Sequence, residues 1–186
     1  MANHSLLSPI IVVGMHRSGT SLLTNILQEL GLFIGVQKDS NDESVFFQGI
    51  NDWLLRSSGA SWDYPLPVGL LFERTYLREI SREYIESLMT SPRAVSFLGV
   101  SKYLRYRSIS RMDVPWGWKD PRNTFTLPIW LEIFPNAKII HVVRHGVDVA
   151  NSLRTRQESE TIRISAAYRK RRALYWLRPK KHGFTD

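Results

Sequence analysis

The chain has 186 residues, 43% of them hydrophobic and 11% aromatic, enough for one sizeable core and too few for two comfortable ones. It contains no cysteine, which excludes a disulfide framework and any Cys-based zinc or redox site. The formal net charge of +8 is unevenly placed: Leu153 to Asp186 carries ten Lys/Arg against three acids, whereas the first 152 residues carry fifteen against fourteen, so an anionic partner is expected.

Met1 to Pro9 lacks the basic region of a secretory signal, and no stretch approaches the roughly 18 apolar residues of a membrane span. A soluble, cytoplasmic protein with no spanning helix is the expectation. Ile10-Ile11-Val12-Val13 is a β-branched run ending at Gly14, the pattern of a strand buried on both faces of a parallel sheet. Thr20 to Leu30 then takes helical period, with Leu22, Leu23, Ile26, Leu27 and Leu30 on one stripe and Gly31 as its stop. The six residues between, Gly14-Met15-His16-Arg17-Ser18-Gly19, form a short loop from strand to helix.

Further along, Ser44 to Leu55 reads as a helix closed by Ser57-Ser58-Gly59. Glu73 to Met89 is a clearer amphipathic helix, with Leu77, Ile80, Tyr84, Ile85 and Leu88 inward. Trp116 to Lys119 reads as a short strand stopped by Pro121, and Phe125 to Phe134 as a helix that tolerates Pro128 near its start. Lys138 to Arg144 reads as a second buried strand, and Val147 to Arg156 as the helix after it. Alternating strands and helices predict an α/β fold with a mostly parallel sheet. One domain is expected over residues 1–186, with a core over 9–156 and a basic C-terminal segment over 157–186. Nucleic-acid binding ranks low, because it would spread basic and aromatic residues over more of the domain.

Two segments carry chemistry. Gly14 to Ser21 has two glycines five apart followed by two hydroxyl residues, the outline of a phosphate loop. Its backbone N–H groups and the positive end of the next helix can cradle phosphate oxygens. Thr20 stands where a nucleotide triphosphatase loop needs Lys, and the cation sits inside the loop as Arg17. That argues against the rival reading, a nucleotide kinase or NTPase. In the second segment, Arg144 ends a strand and Ser152 follows two helical turns later, so guanidinium and hydroxyl can converge on one anion.

These segments reach a resemblance. Gly14 to Leu23, GMHRSGTSLL, resembles the 5′-phosphosulfate loop of the PAPS-dependent sulfotransferase family, in its bacterial and Golgi-type branch with Arg-Ser-Gly-Thr. Val142 to Ser152, VVRHGVDVANS, resembles that family's 3′-phosphate motif, and Trp116 to Arg122, WGWKDPR, its intervening strand. The resemblance implies a P-loop NTPase-like three-layer domain and PAPS (3′-phosphoadenosine-5′-phosphosulfate) as donor. It also implies transfer of a sulfuryl group to a hydroxyl or amine, a carbohydrate or other hydroxyl compound foremost, with no metal. Carried over residue by residue, Arg17, Ser18, Gly19, Thr20 and Ser21 bind the 5′-phosphosulfate, and Arg144 and Ser152 the 3′-phosphate. Lys119 lies beside the transferred group, where it and Arg17 offset the charge growing on the leaving oxygen.

In the family that the chain resembles, the base that deprotonates the acceptor is His or Glu by branch. Pro121 occupies the position of that His, and the local pattern puts Glu43 in the role, with His16 as second choice. Asp120 is read as positioning Lys119 or Arg122, and Asp148 as a local cap or pair. Trp53, Trp62 and Trp116 are candidates to line an acceptor groove. Relatives continue into a basic, glycine-containing segment over the adenosine. Here Arg169 to Gly183 either makes a shortened version or marks a truncated chain, which would be a nucleotide-binding non-enzyme.

Overall fold

The computed structural model describes residues 7–172. It divides into two compact units, one running to Val143 and one starting at Arg144. In the first, β1 (Ile10–Gly14) forms the centre of a three-stranded parallel sheet, flanked by β2 (Gly117–Lys119) and β3 (Lys138–Val142) in the order β2-β1-β3. Ile10 aligns with both Gly117 and Lys138. Gly117 is required there, because a Cβ at that position would lie 2.0 Å from the Ile10 carbonyl oxygen. The expected α/β fold with a parallel sheet is what the chain adopts.

Around the sheet stand α1 (Thr20–Glu29), α2 (Val45–Ser57), the short α3 (Gly69–Glu73), α4 (Thr75–Thr90), α5 (Val95–Tyr106) and α6 (Asn123–Ile133). The core is aromatic. Phe47 of α2 lies flat on Trp118 of β2, with ring centroids 3.9 Å apart and planes 4° from parallel, and Trp130 and Phe97 meet Phe47 edge-on. Such pairs add to the burial of their large apolar area. Pro128 is accommodated inside α6, six residues into the helix.

Several expectations change. The α1 stripe is not the buried face: Leu22, Ile26 and Leu30 are exposed, while Thr20 and Thr24 are buried. In α4 the inward positions are Ser81, Ile85 and Met89, with Leu77 and Ile80 exposed. β3 is not buried on both faces; it is an edge strand, paired with β1 alone among the described residues, with Lys138, Ile139 and His141 exposed. Helix α5 was not anticipated, since Gly99, with non-helical dihedrals, interrupts its period.

The second unit holds α7 (Gly146–Arg171), which runs fifteen residues past the expected end at Arg156. Ion pairs along it, Arg154 with Glu158 and Arg163 with Glu160, suit an exposed helix face. Its last turn carries Arg169, Lys170 and Arg171, favourable at the negative end of the helix dipole. The remainder of the basic segment singled out above, residues 173–183, lies outside the described residues.

Candidate functional site

The loop that leaves β1 is packed so tightly that only glycine fits at its start. A Cβ on Gly14 would meet the Val142 carbonyl oxygen at 2.7 Å and Ser18 Oγ at 3.0 Å. Arg17 (φ 68°) and Gly19 (φ 100°) both take left-handed backbone, and the Ser18 N–H donates to the Met15 carbonyl at 3.1 Å. Helix α1 then begins with neither a side-chain cap nor an acidic residue in its first turn. Its first N–H groups and positive dipole end are therefore left to a ligand or to water. Ser18 sharpens the point: it is 7% exposed, and its hydroxyl has no hydrogen-bond partner. A buried hydroxyl without a partner is costly in a folded protein unless something else binds there.

The segment before α2 comes up to this loop. Ser21 Oγ donates to the Asn41 carbonyl at 2.8 Å, and Lys119 Nζ, at the end of β2, donates to the same oxygen at 2.9 Å. Lys119 also donates to Glu43 Oε1 at 3.0 Å; the two side chains are 2% and 3% exposed. Glu43 precedes α2 and is buried in an ion pair. Gln48 Nε2 donates to its other oxygen at 3.3 Å. A buried pair of this kind persists only where further hydrogen bonds satisfy it, as Asn41 and Gln48 do. Lys119 has three protons and two are used, leaving one to offer.

Arg122 holds the far side of the cluster. Its guanidinium lies 3.2 Å from Asp52, 3.3 Å from Asp120 and 3.9 Å from Glu43. Asp120 accepts the Arg122 N–H at 2.9 Å, so of its two expected partners it positions Arg122. Burial raises the Asp120 pKa to about 7; the nearby Glu43 charge adds to the rise, and Arg122 and Asn51 oppose it. Asn51 of α2 ties this corner together. Its Nδ2 donates to Asp120 at 2.9 Å and to Asn123 at 2.8 Å, and its Oδ1 accepts from Thr126 at 2.8 Å and Trp130 at 2.9 Å.

Of the residues expected from sequence, the first unit brings together Ser18, Gly19, Thr20, Ser21, Glu43 and Lys119, with Arg17 exposed on the loop. Thr20 is buried beside Gly14, and a Cβ there would meet its methyl group at 3.0 Å. His16 meets the exposed Trp62 edge-on, ring centroids 5.1 Å apart. Of the other tryptophans proposed for an acceptor groove, Trp116 is in the core, 1% exposed, and Trp53 packs on Tyr84. In the second unit Arg144 pairs with Asp148 at 3.9 Å, the local pairing expected, and Ser152 lies within α7.

Sequence reading missed Asp39, Asn41, Gln48, Asn51 and Asn123. Asp39 carried a usable signal, since an Asp bonding the N–H two residues on is an Asx turn. The others became legible only with the fold. Among the described residues no cluster of three or more His, Asp or Glu is disposed to hold a metal ion, and no helix is long and apolar enough to cross a membrane.

The family model described as Sulfotransferase family matches residues 9–179, more than half of the chain. No curated protein and no solved structure matches it.

Proposed function

The chain belongs to the sulfotransferase family, and we propose that it moves a sulfuryl group from PAPS to the hydroxyl or amine of an acceptor, with a carbohydrate or other hydroxyl compound as the acceptor class. One observation carries the reading. Lys119 and Ser21 donate to a single carbonyl oxygen, that of Asn41, so the phosphate loop, the strand lysine and Glu43 meet although 76 residues separate Glu43 from Lys119. The Arg-Ser-Gly-Thr loop of the bacterial and Golgi-type branch supports the same assignment.

In this reading the 5′-phosphosulfate lies on the backbone N–H groups and hydroxyls from Arg17 to Ser21, with Ser18 Oγ supplying a ready donor. Arg144 and Ser152 take the 3′-phosphate. As the bond from sulfur to the phosphate oxygen breaks, negative charge grows on that oxygen. Arg17 and the remaining proton of Lys119 stabilise it, preorganised and without a metal. The acceptor hydroxyl attacks sulfur and loses its proton to Glu43, whose carboxylate Lys119 and Gln48 hold in place.

Thermal shift tests the donor assignment, since a specific ligand stabilises by mass action. PAP, the desulfated donor, should raise the melting temperature more than ADP at equal concentration, and Arg144→Ala should erase the difference. Glu43→Gln should keep the PAP shift and lose turnover of PAPS. Equal shifts from PAP and ADP in the unaltered protein overturn the 3′-phosphate assignment, and turnover by Glu43→Gln moves the base to His16.

A further inference from the structure

We propose that Asp39 is a positioning residue for the transfer: its carboxylate sets the Asn41 carbonyl between Ser21 and Lys119, so that one acceptor atom ties the donor loop to the Glu43–Lys119 pair. This rests on the sulfotransferase reading for its function, though not for its geometry.

The segment from Asp39 to Glu43 has no regular structure of its own, and Asp39 organises it. Its Oδ1 accepts the backbone N–H groups of Asn41 at 2.8 Å and Glu43 at 2.9 Å. Its Oδ2 accepts from the side chains of Asn41 and Gln48, both at 3.3 Å. The Asp39 N–H donates to the Glu43 carbonyl at 2.9 Å, which closes the turn, and Asp42 sits within it in left-handed backbone (φ 62°). The Asn41 carbonyl shares its peptide unit with the Asp42 N–H, which donates to the Asp39 carbonyl at 3.3 Å. The peptide units on either side give their N–H groups to one oxygen of the Asp39 carboxylate, so the unit is held from within and from both flanks. Its carbonyl therefore stays directed at Ser21 and Lys119. Burial works against the charged form of Asp39, but the N–H groups of Glu43 and Asn41 outweigh it and hold the carboxyl below its ordinary value. The acceptor is thus ionised, and hydrogen bonds to an ionised acceptor are the stronger kind.

Proton counting gives the carbonyl its consequence. Ser21 has one hydroxyl proton, and here it goes to Asn41. A donor phosphate that takes this proton removes one of the two bonds at the Asn41 oxygen and leaves Lys119 as the other. Loading of the loop is then felt at Lys119, and through it at Glu43, only while Asp39 keeps the carbonyl in place.

The test reads Lys119 directly, as its rate of acetylation by acetic anhydride, followed by mass spectrometry of the peptide that contains it. Without ligand, Lys119 should be protected in the unaltered protein. Asp39→Glu keeps the charge but moves it by a methylene, and should speed labelling roughly tenfold, the size expected for losing an interaction of hydrogen-bond strength. Asp39→Asn keeps an oxygen in place for both backbone N–H groups but loses the charge and turns an amide NH2 toward the Asn41 and Gln48 side chains, and should speed labelling by clearly less than Asp39→Glu. Adding PAP should change the Lys119 rate in the unaltered protein and not in Asp39→Glu. Protection at the original level in Asp39→Glu, equal loss in both variants, or PAP binding that leaves Lys119 unaffected overturns the proposal. Failure of PAP to bind the unaltered protein counts against the donor assignment instead, because the labelling without ligand is read separately.

Discussion

The loop from Gly14 to Ser21 and the corner around Asn51 use the same kinds of polar side chain and leave them in opposite conditions. Asn51 is fully buried, and its amide spends both protons and accepts two hydrogen bonds, binding α2 to α6 and to Asp120 just after β2. Ser18 is also buried, yet its hydroxyl has no partner, and the helix that follows begins without a cap. A saturated network rigidifies, because every member loses something if one moves. An unsaturated buried group destabilises the fold on its own, and it persists where a ligand completes it. The Glu43–Lys119 pair stands between these conditions: charged, buried and supported by Asn41 and Gln48, with one lysine proton still to give.

The largest effect is expected on the saturated side. Asn51→Ala leaves the Trp130 indole N–H without its acceptor and removes a donor from Asp120. With the small cavity added, denaturant unfolding should show a loss of about 3 kcal/mol or more. A loss below about 1 kcal/mol would mean that this corner is not the rigid part of the site.

An intermediate effect should follow the proton on Asp120. Its folded pKa is raised from 3.8 to about 7. Between those values the folded chain keeps a proton that the unfolded chain has released. The stability it contributes is therefore complete below about pH 4 and is lost as the pH rises through about 7. A shift of this size is worth on the order of 4 kcal/mol at most. The melting temperature should fall over that window, and Asp120→Asn should flatten the fall. An unchanged slope in the variant would place the titrating group elsewhere.

The smallest effect on the fold should come from Ser18→Ala, which removes an unsatisfied hydroxyl and should be neutral or stabilising by up to about 1 kcal/mol. PAP affinity, by contrast, should drop about tenfold or more, as expected for a hydrogen bond to a charged group. Calorimetry and thermal melts together separate the two. A destabilised Ser18→Ala protein with normal PAP affinity would erase the contrast between loop and corner.

Legibility followed sequence distance. β1, the loop and α1 are consecutive, and a β-branched run, a glycine-bounded turn and a switch to helical period are local signals. WGWKDPR likewise marked β2 and Lys119. The amphipathic pattern was a poorer guide to burial. Leu22, Ile26 and Leu30 make an apolar stripe, yet α1 buries Thr20 and Thr24 instead. What a helix buries depends on the face its neighbours cover, and periodicity reports only that a stripe exists. The same reason made β3 look doubly buried, since Ile and Val suit an edge strand as well as a central one.

Taken alone, the sequence determined the α/β character, the glycine-bounded turn from β1 to α1, the Arg144–Ser152 spacing and the family, because each is written in consecutive residues whose backbone preferences and hydrophobic period act locally. Only the tertiary structure decided that Glu43 would be buried against Lys119 and that Asn41 would lend its carbonyl to both Ser21 and Lys119. It alone also made Asn51 the knot between α2 and α6. A backbone carbonyl has no residue type to betray it. An ion pair 76 residues apart exists only once parallel strands and an aromatic core have brought its two ends within 3.0 Å and shut out the water that would otherwise separate them.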